Sequence, residues 1–490
     1  MIKMKKLRLF NILILLLLLT GSCKKYVEGY EKDPNGLLDT NDKQLFQGVL
    51  LENQFFLKDE GLRMAMIWLN QATGSDRQMV AFNNWNSVGN NQFDGPWGQA
   101  YTVISEAKLL EDKATDKNNI QLRGVAKLLR AWAGGEAASL WGDVPFLEAG
   151  KPDEIKNPKY DQMSQVFSEV QTLLDDAIAD LNNSVGEIYA DKDIYFSGDV
   201  NKWIKIAHGL KARFYLHAGD YTNAKNEASQ GPSSTDDDMY AQFASYSAPS
   251  GMWNPTFNFY WNRDSYLSAQ DSYGVNITML GGRNNAKTDE TIRGYYNYEP
   301  GSWWGTPYDY DLNIMISDWF GTNGKFGGNM ELVTYGEMLL IQAEAEARLN
   351  GVSAALPIYN QYRNLLDNDN YSGQWGSIVF GMTPPFGAYQ PYDLSDFQAG
   401  GIENQDNIPE KNAFLRELFE ERYVFFIGDY ESFIDFERSN NDADVPQYFQ
   451  LKSGFSGKPL RFIYPQSEID SNENFNGPAP AVTEALPMYQ

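Results

Sequence analysis

Apolar residues recur at helical spacing toward both ends of this chain, and that recurrence limits the architectures open to it. Leu122, Val125, Leu129, Trp132, Ala133, Ala137 and Leu140 fall mostly at steps of three and four, so they share one stripe of an α-helix. The stripe stops at Trp141-Gly142 with Pro145 just beyond, a helix C-terminal signal. Met163, Val166, Phe167, Val170, Leu174, Ala177, Ile178 and Leu181 form a second stripe. Asp199 is placed to cap a helix with Trp203, Ala207, Leu210, Phe214 and His217 on one face. Thr334-Tyr335-Gly336-Glu337 reads as a capping box opening a helix to Leu349. Similar periods cover 42–57, 97–112, 352–366 and 413–427. A striped helix must bury its stripe against another element. Short turns join these helices into antiparallel-looking pairs. The expectation is a mainly α, tetratricopeptide-like helix-pair scaffold over residues 36–230 and 331–490, without a clean sequence repeat.

Residues 231–330 break the pattern. They carry no long helical period and are rich in Gly, Asn, Ser and Asp, yet hold 20 aromatic residues and five of the 12 tryptophans. A loop-rich stretch enriched in aromatics either packs on the scaffold or offers ring faces to a ligand. It reads as an excursion from one scaffold, as does 367–409, so residues 23–490 are expected to form a single domain.

Cys23 is the only cysteine among 490 residues. No intramolecular disulfide is possible, and the core alone must hold the fold. Cys23 follows a basic start (Lys3, Lys5, Lys6, Arg8), an apolar run from Leu9 to Leu19 and the small residues Thr20-Gly21-Ser22. That is a secretory leader over 1–22, its apolar run shorter than the roughly 20 residues of a transmembrane helix. A cysteine at the cleavage point is the bacterial lipoprotein pattern, so Cys23 is the expected lipid anchor to a membrane. The net charge of −25 argues against nucleic acid as a partner.

Motifs for bond chemistry are lacking. The two histidines, His208 and His217, share one helix, and His217 lies on its apolar face, so it reads as a satisfied core residue. HExxH, GxSxG, P-loop and Cys/His metal patterns are absent. Asp and Glu pairs lie in helical patterns, where ion pairing explains them. The reading is a binding protein with no cofactor and no metal, not an enzyme; a surface glycan-active enzyme with a long-range carboxylate pair is the less favoured alternative.

Six strings in order together resemble the SusD/RagB family of outer-membrane nutrient-binding lipoproteins. They are Trp97-Gly-Gln-Ala-Tyr101-Thr; Ala131-Trp132 with Leu140-Trp-Gly-Asp-Val-Pro-Phe146; Gly198-Asp-Val-Asn-Lys-Trp-Ile204 running on to Tyr215; Glu337 to Arg348; Glu417-Leu-Phe-Glu-Glu-Arg422 with Gly428-Asp429 and Asp435-Phe-Glu-Arg438; and Arg461-Phe-Ile-Tyr-Pro-Gln-Ser-Glu468. Ser75-Asp-Arg-Gln78 leans toward the SusD-like subgroup. Taken by themselves these strings are mostly structural, with Glu420 or Glu421 and Arg438 as a candidate buried ion pair. The resemblance implies a helical scaffold that caps a SusC-like TonB-dependent transporter and binds its ligand among loops on the other side. It implies capture of an oligosaccharide at the cell surface; peptide or amino-acid capture is the alternative. Lys24-Lys25-Tyr26-Val27 precedes the first acid, Glu28, where surface-exported members often carry acids sooner, so the inner leaflet stays open.

Sugars stack their C–H faces on Trp or Tyr and satisfy their hydroxyls with Asn, Asp, Arg and Gln. Two places combine these types: Asp76-Arg77 through Asn83-Asn84-Trp85, and Trp303-Trp304 with Tyr308 and Tyr310. Trp253, Tyr260 and Trp261 form a third group. The expected ligand-binding residues are Asp76, Arg77, Asn83, Asn84, Trp85, Trp261, Trp303, Trp304 and Tyr308.

Overall fold

The structure, a computed structural model, describes residues 41–151, 154–244, 252–301 and 307–490. Cys23, Trp303 and Trp304 lie outside the described residues. The longer helices are α1 (Asp42–Lys58), α2 (Glu60–Trp68), α3 (Asp94–Asp116), α4 (Ile120–Trp141), α5 (Met163–Leu181), α6 (Val200–His217), α7 (Tyr221–Ala228), α8 (Pro255–Asn262), α9 (Tyr335–Asn350), α10 (Val352–Asp367), α11 (Glu410–Phe425) and α12 (Glu431–Ser439). The expected mainly α class is what the chain adopts. Successive helices pack on one another, α3 on α4, α4 on α5, α6 on α7 and α9 on α10, with α7 also against α9. The two ends of the chain thus meet in one helical stack. Three two-stranded antiparallel ribbons interrupt it: β1 (Thr73–Gly74) with β3 (Leu267–Ser268), β2 (Met239–Ala241) with β6 (Met330–Val333), and β4 (Tyr298–Pro300) with β5 (Tyr310–Leu312).

The stripes face inward as their period requires. Leu122, Val125, Leu129, Trp132, Ala133, Ala137 and Leu140 of α4 are all buried. Burying each large apolar side chain stabilises by about 1.5–3 kcal/mol. Helix α4 approaches α6 so closely that a Cβ on Gly135 would sit 2.4 Å from the Phe214 ring, which only glycine permits. Asp199 caps α6, accepting from Asn201 N at 2.9 Å and Lys202 N at 3.3 Å.

Two expectations change. The capping box of α9 is half formed: Thr334 Oγ1 accepts Glu337 N at 3.2 Å, but the Glu337 carboxylate binds Arg213 of α6, at 2.7 and 2.8 Å, instead of its own N-cap. Arg438 does not meet Glu420 or Glu421; it donates to Glu344 of α9 at 2.7 and 2.6 Å. Glu421 instead accepts from Arg283 at 2.6 Å and from Arg293 at 2.6 Å, both in the loop-rich segment. Charge pairing thus stitches that segment to α11, which local sequence could not reveal.

Candidate functional site

The candidate surface is built where the turn after α2 meets α8. Strand β1 pairs with β3 in the register Thr73↔Ser268 and Gly74↔Leu267. At Gly74 a Cβ would lie 1.8 Å from Met79 O, so only glycine allows the chain to fold back into the short helix Gln78–Phe82. Ser75 N and Asp76 N donate to Tyr266 O, at 2.8 and 3.4 Å, which brings Asp76-Arg77 beside the 263–268 turn. Tyr308 joins them, its hydroxyl donating to Ser75 O at 3.4 Å and Ser265 O at 3.3 Å. Arg77 takes a left-handed φ of 50°, and its exposed guanidinium lies 5.5 Å from the Tyr266 ring centroid and 3.6 Å from Asp76. Asp76, Arg77 and Tyr308, apart in sequence, are therefore one cluster.

Helix α8 supplies the other half. Asn254 caps it by accepting Thr256 N at 2.9 Å and Phe257 N at 3.4 Å, with Pro255 in the first turn. Pro255, Asn258, Phe259 and Asn262 then share a face and line a groove of about 520 Å³, closed opposite by Phe55, Asp59 and Arg63. Known ligand pockets span about 300–1,000 Å³. Trp253 also lines the groove, and Phe257 and Trp261 continue from it along the adjoining face as a run of rings, edge-on at 5.7 Å and then stacked at 5.9 Å. Trp261 is 48% exposed. Arg263 ends α8 between two rings, 6.0 Å from Phe259 and 5.7 Å from Tyr266, and thereby joins the groove to the Arg77 cluster. It is exposed and has no ion-pair partner among the described residues.

The other expected residues hold the turn together or pack beneath it. Asn83 holds the turn closed, accepting Gly74 N at 3.1 Å and donating to Gly74 O at 2.6 Å. Lys452 donates to Asn83 Oδ1 at 2.6 Å and to Thr73 Oγ1 at 2.9 Å, and burial pulls that ammonium down to about 8. Asn84 caps the turn Trp85–Ser87, accepting Asn86 N at 3.2 Å. Trp85 is 2% exposed, donates to Ser456 O at 3.0 Å and packs edge-on to Phe455 at 5.4 Å. Its ring is packing, with no face toward a ligand. Tyr260 is likewise buried.

Sequence reasoning missed Phe259, Arg263, Tyr266 and the pair Asn258/Asn262. Asn254-Pro255 followed by aromatic and amide residues at steps of four was the available signal, but the helix is too short to stand out by period.

The chemistry on offer is hydrogen bonding and ring stacking. One set does have a nucleophile–base–acid order: Ser139 Oγ is 3.0 Å from His217 Nδ1, and His217 Nε2 is 3.0 Å from Glu431. All three are buried, and Ser139 also bonds Gly135 O at 2.9 Å, so this set joins α4, α6 and α12 inside the core. His217 is the satisfied core residue its position on α6 implied. Among the described residues no group of three or more His, Cys, Asp or Glu is arranged to hold a metal ion, and no helix is long and apolar enough to cross a membrane.

Comparison with known proteins agrees with this architecture. A SusD-like family model, described as "Starch-binding associating with outer membrane", matches residues 30–465. No curated protein matches. Among solved structures, a SusD/RagB family protein from Bacteroides thetaiotaomicron is 20% identical and superposes with a TM-score of 0.67 over 89% of this chain and 95% of that one. A SusD homologue from Bacteroides fragilis is 18% identical, TM-score 0.67, covering 92% of this chain and 100% of its own. A chitin-binding SusD homologue from Flavobacterium johnsoniae is 15% identical, TM-score 0.67, covering 91% and 98%. At these identities the structural likeness establishes the fold alone. With the family model matching most of its length, the chain belongs to the SusD-like family.

Proposed function

We propose that this protein is a lipid-anchored surface receptor that captures an oligosaccharide and passes it to a SusC-like TonB-dependent outer-membrane transporter, without bond chemistry. Acylation at Cys23 after removal of residues 1–22 is the anchor, and residues 23–490 act as one ligand-binding domain. The family supports the setting, and a family relative is described as chitin-binding. The observation that carries the ligand class is the α8 groove: rings of Trp253 and Phe259 beside the amides of Asn258 and Asn262 and the guanidiniums of Arg63 and Arg263. Rings accept the C–H faces of a sugar, and amides and guanidiniums bond its hydroxyls. Asp76, Arg77 and Tyr308 extend this surface, with Trp261 on its flank; Asn83, Asn84 and Trp85 support it from behind. Trp303 and Trp304 remain proposed ring contacts.

The test is titration of the soluble form starting at Lys24 with oligosaccharides and short peptides, following tryptophan fluorescence. Saturable response to a glycan, weakened at least tenfold by Arg263→Ala and by Trp261→Ala, is expected. A response to peptides alone would replace the glycan with a peptide, whose carboxylate Arg263 would then bind.

A further inference from the structure

A second pocket, of about 340 Å³, opens between the β2/β6 ribbon and the turn leading from α10 to the short helix Trp375–Ile378. Tyr240, Asn323, Asn329, Glu331, Tyr371 and Gln374 line it. Its wall is fixed in advance. Asp369, Tyr371 and Gln374 hold φ of 63°, 60° and 59°, a region that residues with a Cβ rarely enter. Bonds from behind impose this shape. Ser372 Oγ and Gly376 N donate to Asp369 Oδ1 at 2.7 and 3.3 Å, Ser377 N donates to Oδ2 at 2.8 Å, and Ser377 Oγ also bonds Oδ2. Thr322 Oγ1 donates to Gly373 O at 2.5 Å, and the buried Trp375 donates from Nε1 to Asn323 O at 2.8 Å. Backbone strain concentrated at one pocket wall, and held there by a dedicated set of bonds, is characteristic of sites where side chains must be positioned for contact.

The two acids that line the pocket both have partners. Glu331 pairs with Lys325 at 2.7 Å, and Asp369 is taken up by the four donors just named. Burial pushes Asp238, which accepts from the Tyr240 hydroxyl, up to about 7, so it carries about half a charge at neutral pH. Two neutral lining groups, Asn323 Nδ2 and the Gln374 side-chain amide, have no hydrogen-bond partner among the described residues. Neutral amides beside tyrosines suit a ligand of many hydroxyls and no charge. Hydrogen bonds tie the pocket to the α8 groove: Asn254, the cap of α8, donates to Gly328 O at 2.9 Å, next to the lining residue Asn329. Asn329 bonds Gln242 Oε1 at 3.1 Å and Phe243 N at 2.8 Å, and Gln242 N donates to Gln54 at 2.7 Å, next to the groove residue Phe55.

We propose that this pocket is a second subsite for a neutral sugar unit of the same chain that lies in the α8 groove. The inference rests on the glycan reading above and deepens it: the ligand is an uncharged oligosaccharide long enough to reach both places, not a mono- or disaccharide.

Two tryptophans report the two places separately, Trp375 beneath the pocket and Trp261 beside the groove. The soluble chain labelled with 5-fluorotryptophan would be titrated with maltohexaose, cellohexaose, chitohexaose and xylohexaose and with their disaccharides, followed by fluorine NMR. One hexasaccharide is expected to shift both resonances with one midpoint, and its disaccharide to need at least tenfold more. Gln374→Gly, which suits the positive φ, should abolish the Trp375 shift, keep that of Trp261 and weaken the hexasaccharide about fivefold. Asn323→Ala, away from the turn, should do the same. A Trp261 shift with Trp375 silent would overturn the subsite and leave the glycan reading standing. Silence of both with every probe would overturn the glycan reading and the subsite with it.

Discussion

Single residues in the turn after α2 show how far composition can locate a site. Asp76, Arg77, Asn83, Asn84 and Trp85 are alike in sequence, all polar or aromatic in a loop. The structure divides them by where the backbone needs partners. Asn83 and Asn84 satisfy N–H groups of their own turn, as short amide side chains do, and Trp85 fills the space beneath it. Asp76 and Arg77 remain at the surface because β1 pairs with β3, a contact across nearly two hundred residues that no local pattern announces. Trp85→Ala should cost about 3–5 kcal/mol in urea unfolding, from lost burial and the cavity left behind. Trp261→Ala, on an exposed ring, should stay within about 0.5 kcal/mol; equal losses would mean that the two rings are packed alike. Lys452 gives a pH signature to the same turn. Burial lowers its folded pKa to about 8 from the ordinary 10.5, so between these values the unfolded chain holds more protons and stability rises with pH. Allowing for solvent screening of the part still exposed, the gain is roughly 2 kcal/mol. Subtracting the urea profile of Lys452→Met from that of the wild type between pH 7.5 and 10 should isolate this rise; a flat difference would place the ammonium in water.

Elements were legible where their period was long. Helices α4, α5 and α6 follow their stripes, and Gly142 stops α4 as its sequence implies. Helices α2, α7 and α8 escaped because two or three turns give too few repeats to separate a stripe from chance. What holds the loop-rich segment against α11 was not legible at all, because it is a buried network of distant charges. Arg283 and Arg293 share Glu421, at 2.6 Å each, and Tyr362 donates to the same carboxylate at 2.6 Å. Arg283 also reaches Glu417 at 2.6 Å, and Arg293 reaches Glu290 at 2.6 Å. Removing one member of a buried pair leaves the other uncompensated and costs about 3–5 kcal/mol. Arg293→Met should therefore destabilise by that amount, and Glu421→Gln similarly. The double variant should lose less than the sum of the two, since each single change already breaks the Arg293–Glu421 pair. Additive losses in urea unfolding would show that the two side chains act independently.

Across the whole molecule, burial of ionisable groups makes stability depend on pH in two opposing ways. Burial, with the charge of Glu52 nearby, pushes Glu106 up to about 7, and burial pushes Asp238 to about 7 as well. Their folded pKa values lie above the unfolded ones, so the folded chain binds more protons in this range and stability rises as pH falls from 7 toward 4.5. The net charge of −25 acts in the same direction, because protonation relieves self-repulsion. Glu344 behaves oppositely. Burial pushes it up, but Arg438 and Arg348 more than reverse this and hold it at about 2. Its contribution is complete above the unfolded value of 4.5 and disappears as pH falls through 2. The two limbs cross, and the urea midpoint should peak near pH 5, about two units below neutrality. Glu106→Gln should reduce the limb between pH 7 and 4.5, leaving the shares of Asp238 and net charge, and leave the acid limb unchanged. Glu344→Gln should lower the whole curve, because Arg438 and Arg348 lose their partner, and shrink the acid limb. A midpoint that keeps rising to pH 8 would mean that Glu106 and Asp238 are ionised in the folded chain, and the helical stack would then have to hold those charges through water reaching inside it.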